Sequence, residues 1–197
     1  MGPVRRGWEA LRRSRKVESY AGCRVSLQED WLPPPAGAND AESILRGQLQ
    51  FVRESHSVEW PPRWDIQETS KLWQYNLFYF EWLWLLSAED AWTATQDWIA
   101  FARENPRHTG SDPYPTSLRL INWCGVFLHK HREYFEQRED VRELLWESVC
   151  EQVEDLLLHL EYHLLGNHLF ENAVALAVVG RRRSSACARI PCAAQDP

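Results

Sequence analysis

The sequence predicts an all-α fold, and two observations support that prediction. Between Asp40 and Gly180, apolar residues recur at three- and four-residue steps in one segment after another, which is the period of an amphipathic helix. Short breaks rich in Pro, Gly and Asp separate these segments, and no convincing strand pattern lies among them. We therefore expect a body of helix pairs, joined by short or functional loops, over residues 40–180.

The first two predicted helices cover residues 71–87 and 88–106. KLWQYNLFYFEWLWLLS is apolar on nearly every side, which indicates a helix buried on more than one face. The second helix is expected to stop before Pro106, and RHTGSDPYP (107–115) reads as a loop. The predicted buried stripe of the second helix consists of Trp92, Thr95, Trp98, Ile99 and Ala102.

Three further helices are predicted over residues 116–131, 139–165 and 167–180. The longest, residues 139–165, has an apolar stripe that gives it about 25 helical residues and roughly 38 Å of length at 1.5 Å per residue. Gly166 is expected to end this helix, and NHLFENAVALAVVG to begin the next one. The stripe of the long helix consists of Val141, Leu145, Val149, Val153, Leu156, Leu160 and Leu164.

Composition places the chain among ordinary soluble globular proteins. Its 197 residues are 44% hydrophobic and 25% charged, and eleven Trp are an excess that is typical of thick cores and of sites for flat or sugar-like ligands. The formal net charge of −6 argues against nucleic acid or an anionic membrane as the main partner. A local basic groove for a polyanion stays compatible with that charge.

The two ends of the chain depart from the helical pattern. Residues 1–39 read as a basic, flexible segment followed by a turn-rich linker, and no apolar run suggests an export signal or a membrane span. Residues 181–197 read as an aperiodic tail, either a truncated or frame-shifted remainder or a disordered end. As sequenced, the chain is expected to be cytoplasmic. The five scattered cysteines, without a CxxC pair, predict reduced thiols.

Gly166, Asn167 and His168 interrupt an otherwise apolar stretch, with Asn172 one turn later. One interpretation is local: Gly supplies a left-handed helix end and Asn caps the next helix, although Phe170 at the third position gives no capping box. The other interpretation is a functional site. His159 and His163 have a spacing that can hold a metal, but no HExxH motif accompanies them, and we predict no metal.

A second polar group follows in GSDPYPTSLRLINW, residues 110–123. Tyr114, Arg119, Asn122 and Trp123 would suit an acidic sugar, because they supply a hydroxyl, a bidentate cation, an amide and an aromatic face. Equally, this segment could simply begin a helix, with Arg119 and Asn122 on its solvent-exposed face. Asp112 and Glu171 are available as the carboxylate pair of a glycoside hydrolase, but neither lies in a motif.

Three segments, KLWQYNLFYFEWL, PYPTSLRLINW and HLEYHLLGNHLFENAVAL, resemble in order and distance the N-terminal helical domain of the heparinase II/III-like polysaccharide lyases. The resemblance covers roughly residues 40–180. It implies an (α/α) toroid, here an incomplete barrel of helical hairpins, with a groove that binds an acidic polysaccharide. In complete members a β-sandwich follows. The implied reaction is β-elimination at a uronic-acid glycosidic bond, without a cofactor.

The resemblance also implies roles for the polar pair. Asn167 matches an Asn that neutralises the uronate carboxylate, and His168 matches the neighbour that orients or protonates the substrate. The start of a helix favours an anion as well. The family's general base, a Tyr, and acid, a His, would follow Gly180, where no residue matches them, so this chain alone is expected to bind rather than turn over substrate. The alternatives are a non-catalytic carbohydrate-binding module and a helical scaffold that recognises protein.

Overall fold

The computed structural model describes residues 37–162, 164 and 166–186, the last six by their backbone alone. This part of the chain is mostly helical, which confirms the coarse prediction, whereas the described helices do not show a toroid. In chain order the elements are α1 (Ala41–Leu45), β1 (Gln48–Phe51), β2 (Glu54–Ser57), α2 (Lys71–Tyr79), α3 (Ala88–Glu104), α4 (Pro113–Gly125), α5 (Arg132–Gln137), α6 (Glu139–Leu158) and α7 (His168–Ala186).

The prediction of no strand was wrong, because β1 and β2 form an antiparallel hairpin. Each strand has four residues, too few to display a clear alternation, although Leu49 is buried and its neighbours are more exposed. The turn residues Val52 and Arg53 have φ of 47° and 69°, without the Asn or Gly that mark such turns in a sequence. The side-chain amide of Asn39 bonds both backbone groups of Gln50, at 2.9 and 2.7 Å.

The predicted single helix over residues 71–87 is two elements. Helix α2 ends at Tyr79, Phe80 adopts a left-handed conformation with φ of 60°, and a 3₁₀ turn follows at Glu81–Leu85. The break turns the chain so that the rings of Phe80 and Trp82 enter one core, where they stack at 5.5 Å. A segment that is apolar on every side can therefore be buried through a change of chain direction, and not only as one continuous helix enclosed by protein.

Helix α3 agrees with its prediction. It ends at Glu104, before Pro106, and the predicted stripe is buried except for half-buried Ala102. The loop predicted over residues 107–115 was too long, because α4 begins at Pro113. Proline is favoured in the first helical turn, where its missing N–H costs no hydrogen bond. Helix α4 passes at its other end into a π-helical turn, Val126–Lys130.

The last two helices differ from their predicted bounds. Helix α6 has 20 residues and ends at Leu158, so it is about 30 Å long. A non-helical turn containing Gly166, with φ of 119°, separates it from α7. Helix α7 continues to Ala186, six residues beyond the predicted end, because Arg and Ala are good helix formers. The predicted aperiodic tail is therefore wrong for residues 181–186, and residues 1–36 and 187–197 lie outside the described part.

Helix α4 lies at the centre of this unit, in contact with α2, α6 and α7. The 3₁₀ turn Thr109–Ser111 precedes it and places Gly110 beneath the rings of Trp98 and Phe78. A Cβ atom at Gly110 would clash with the Trp98 ring and lie 2.9 Å from Cδ1 of Phe78. This close approach allows the turn to reach the core.

We predict that Gly110→Ala lowers the free energy of unfolding by about 1–3 kcal/mol or more, because two large buried rings must move. The matched control is Gly180→Ala in α7, where a Cβ meets no atom within 4 Å, and where Ala is expected to stabilise by up to about 1 kcal/mol. Urea unfolding of both variants measures the difference. Equal effects of the two substitutions would contradict the packing described for Gly110.

Candidate functional site

The six residues predicted from the sequence fall into two groups. Tyr114, Asn167 and His168 meet at the surface, where α4 and α7 begin. The other three lie in the protein interior. Their exposed fractions are 1% for Arg119, 8% for Asn122 and 0% for Trp123.

Arg119 bonds protein oxygens on all sides of its guanidinium group. It donates from Nε to Gln152 at 2.7 Å and from Nη1 to the carbonyl of Gly110 at 2.8 Å. Its Cζ atom lies 4.9 Å from the ring centroid of Trp98 and 5.8 Å from that of Trp123. Burial lowers the pKa of Arg119 to about 9, so the group remains a cation at neutral pH. The sequence suggested a substrate-binding arginine, but the structure places this one in the core.

Asn122 and Trp123 also serve the interior. The amide nitrogen of Asn122 donates to the carbonyl of Tyr79 at 3.0 Å, and its oxygen accepts from Nε1 of Trp84 at 2.9 Å. Trp123 packs edge-on against Phe80, with ring centroids 5.6 Å apart. Neither residue presents a face that a sugar in solution could contact, so the expected four-residue groove is reduced here to Tyr114.

Asn167 and Tyr114 are joined directly. Nδ2 of Asn167 donates to Oη of Tyr114 at 2.9 Å, a contact between residues 53 positions apart. The backbone carbonyl of Asn167 accepts from the N–H of Glu171 at 2.9 Å, so Asn167 is also the residue at which α7 opens. Because Asn167 is exposed and Nδ2 carries two protons, the second proton faces a region open to solvent.

His168 lies against Tyr114 and is bonded on one side. The two rings have centroids 4.4 Å apart and planes at 39°. Nδ1 of His168 lies 3.2 Å from Oε2 of Glu161, whose side chain is only 11% exposed. This contact leaves Nε2 as the ring nitrogen that does not face Glu161. Such a pairing fixes the orientation of the imidazole.

A buried amide positions this histidine's partner. Asn172 is fully buried; its oxygen accepts from the backbone N–H of Glu161 at 3.1 Å, and its nitrogen donates to Oγ of Ser117 at 2.9 Å. Ser117 in turn donates to the carbonyl of Pro113 at 2.9 Å. The turn before α7 is thereby fixed to the first turns of α4. Glu161 was not predicted from the sequence, because Glu161 pairs with His168 across a non-helical turn, where no regular spacing applies.

Two more tyrosines, buried Tyr79 and half-buried Tyr75, follow Tyr114 in a row of ring contacts. Tyr79 packs edge-on against Tyr114 with centroids 5.9 Å apart, and Tyr75 lies 6.4 Å from Tyr79. Burial raises the pKa of both Tyr79 and Tyr75, so both phenols are protonated at neutral pH. Tyr75 donates to Asp112 at 2.5 Å, and Lys71 pairs with the same carboxylate at 3.4 Å. A cation therefore lies at the far end of this row.

The structure also locates one histidine of the possible metal site and two of the cysteines. Nδ1 of His159 lies 3.2 Å from Oδ1 of Asp155, and His163 is outside the described residues. Among the residues described, no group of three or more metal-ligating side chains occurs. Cys124 and Cys150 are not in disulfides, and the other three cysteines lie outside the described part.

We predict that Asn172→Ala lowers the free energy of unfolding by about 1–3 kcal/mol, because Ser117 and the N–H of Glu161 lose a buried partner. Asn105→Ala is the matched control: that exposed amide bonds only the carbonyl one turn earlier, and we expect a change within about 0.5 kcal/mol. Urea unfolding gives both values. If Asn172→Ala were as mild as the control, the buried network would not stabilise the turn before α7.

Two further findings concern membrane-spanning helices and similar proteins. No helix in the described segments is both long and apolar enough to cross a membrane. Comparison of the chain with protein-family models, with curated proteins and with solved structures gives no match. The function is therefore inferred from the residues and their geometry.

Proposed function

We propose that this chain is the helical part of a polysaccharide lyase of the heparinase II/III type, which cleaves uronic-acid-containing polysaccharide by β-elimination. The observation that supports the proposal most strongly is the 2.9 Å hydrogen bond between Asn167 and Tyr114, with His168 stacked beside them. It brings two of the segments that carry the resemblance to one exposed point. The arrangement of the helices as an incomplete (α/α) toroid is part of this proposal.

The chemistry of β-elimination explains why an amide is useful here. A base removes the proton from C5 of the uronate, the C4–O bond breaks, a C4=C5 double bond forms, and the leaving oxygen takes up a proton. The carbanion-like intermediate places further negative charge on the adjacent carboxylate, so a fixed N–H donor stabilises it. In the proposed complex the second Nδ2 proton of Asn167 donates to that carboxylate, while the first remains on Tyr114.

His168 has a second role in the proposal. Because its Nδ1 faces Glu161, its Nε2 is the ring nitrogen that can bond a ligand. In the bound state it orients the sugar beside Asn167. The N-terminus of α7 adds unsatisfied backbone N–H groups and a positive dipole end, both favourable to an anion.

The half-buried rings of Tyr114 and Tyr75, on either side of buried Tyr79, favour an extended acidic chain over a single sugar in this proposal. Rings at Tyr114, Tyr79 and Tyr75 follow one another at intervals near 6 Å, and Lys71 stands at the end of the row. Asp112 partly compensates the charge of Lys71, so the attraction for a second carboxylate is modest. Binding, in the proposal, depends first on Asn167.

We predict that Asn167→Ala weakens binding of glucuronate or galacturonate oligosaccharides to this chain at least about tenfold, because a hydrogen bond to a charged group is lost. Calorimetric titration measures the change, with Asn105→Ala as the protein control and the carboxyl-reduced oligosaccharides as the ligand control. Asn105→Ala is expected to bind the uronate oligosaccharides as the unaltered chain does. The carboxyl-reduced oligosaccharides are expected to bind the unaltered chain weakly and to lose no further affinity in Asn167→Ala. Unchanged affinity in Asn167→Ala would remove Asn167 from the site.

Binding and turnover are separated by a second measurement. In a complete homologue with the same Asn-His motif, Asn167→Ala at the matching position is expected to abolish the ultraviolet absorbance of the unsaturated product. Retained β-elimination there would contradict the catalytic role. Uronate binding by the present chain without any product is expected both for the helical part of a lyase and for a non-catalytic carbohydrate-binding module, so the activity of the complete homologue separates the two.

A further inference from the structure

A separate cleft lies between the β1–β2 hairpin, the end of α2 and the 3₁₀ turn Glu81–Leu85. Its volume is about 350 Å³, within the range of roughly 300–1,000 Å³ that is usual for small-molecule sites. None of the residues predicted from the sequence lines it. The proposed function therefore does not involve this cleft.

Aromatic rings line the cleft. Phe51 on the hairpin and Trp84 on the 3₁₀ turn both line it, and both residues are half-buried. The indole N–H of Trp84 is bonded inward to Oδ1 of Asn122 at 2.9 Å, which fixes the ring. The Phe51 ring is fixed by edge-on packing against buried Trp73, with centroids 5.0 Å apart.

Polar side chains line the cleft as well. Gln50 and Arg53 belong to the hairpin, Asn76 and Glu81 to α2 and the 3₁₀ turn, and they contribute two amides and one charge of each sign. Within the described residues the structure gives the side chains of Glu81 and Arg53 neither a hydrogen bond nor an ion pair. Partial burial raises the pKa of the Glu81 carboxyl group, although both Glu81 and Arg53 remain exposed to solvent. Two charges of opposite sign therefore line the cleft.

The hairpin turn holds Arg53 at the rim in an unfavourable backbone conformation. Val52 and Arg53 both have positive φ, which is uncommon for residues other than Gly, Asn and Asp, and costly for a β-branched residue such as Val. Backbone strain of this kind is concentrated at functional sites. Both residues line the cleft, so the strained backbone lies in the same cleft as the charged side chains of Arg53 and Glu81.

We propose that this cleft binds a neutral, hydroxyl-bearing sugar residue. An aromatic face suits the apolar face of a pyranose ring, whereas a carboxylate accepts from hydroxyl groups, and a guanidinium and two amides donate to them. An apolar ligand would leave these polar groups unpaired, which is costly. An anionic ligand would meet Glu81, and a cationic one would meet Arg53. The cleft is inferred from its own residues and does not depend on the proposed lyase function.

The test follows the indole N–H of Trp84 in ¹⁵N-labelled protein during titration with cellobiose, maltose and N,N′-diacetylchitobiose, and with glucuronic acid for comparison. We expect a saturable shift with at least one neutral disaccharide. Glu81→Gln keeps the shape of the side chain and is expected to weaken that binding about tenfold, because a charged acceptor becomes neutral. Glu133→Gln, at an exposed glutamate of α5, is expected to leave it unchanged.

Arg53→Gln provides a second variant at the opposite wall and is expected to weaken binding in the same way. The proposal is overturned if no neutral disaccharide gives a saturable shift, if glucuronic acid binds as tightly as the best neutral sugar, or if Glu133→Gln weakens binding equally. Side-chain amide signals of Asn167 are followed in the same spectra. Their response to uronate oligosaccharides reports on the lyase proposal separately, so either proposal can fail alone.

Discussion

A buried cation organises the helical unit. The guanidinium group of Arg119 is 1% exposed and bonds only neutral oxygens, from the side chains of Gln152 and Thr116 and from backbone carbonyls of Phe78 and Gly110. Two tryptophan faces lie over it. Removing a charge from water is expensive unless dipoles and hydrogen bonds replace the water. The four hydrogen bonds of Arg119 form only if α2, α4, α6 and the 3₁₀ turn Thr109–Ser111 keep fixed positions. Arg119 thereby ties α4 to the elements around it.

The surface site depends on this arrangement. Because α4 is held at the centre, its first turn carries Tyr114 to the point where α7 begins, and the buried amide of Asn172 holds the intervening turn. The exposed residues have few protein contacts, and the buried residues beneath them are enclosed by protein. This division explains how one stretch, residues 110–123, supplies both a core anchor and a surface hydroxyl.

Helix periodicity predicted most of the fold, because burial on one face leaves a regular trace in the sequence. The stripe of α3 and its end before Pro106 were predictable for that reason. The break at Phe80 and the Val52–Arg53 turn were not, because non-glycine residues adopt left-handed backbone there and no local signal marks it. Asn167 and His168 stood out in the sequence because they interrupt an apolar stretch, and they lie beside Tyr114 in the structure, but their functional role stays a proposal. The burial of Arg119 was not, since a polar residue on a helix normally faces solvent.

The placement of Arg119 is tested most directly by the exchange rate of its Nε–H, measured by ¹⁵N NMR at neutral pH. A core arginine that donates to Gln152 at 2.7 Å predicts a slowly exchanging signal. It also predicts contacts to the indoles of Trp98 and Trp123 and no response to uronate oligosaccharides. A rapidly exchanging signal would show that Arg119 is open to solvent. A signal that shifts saturably when uronate oligosaccharide is added would show that it faces the ligand. Either result would contradict the division between core and site.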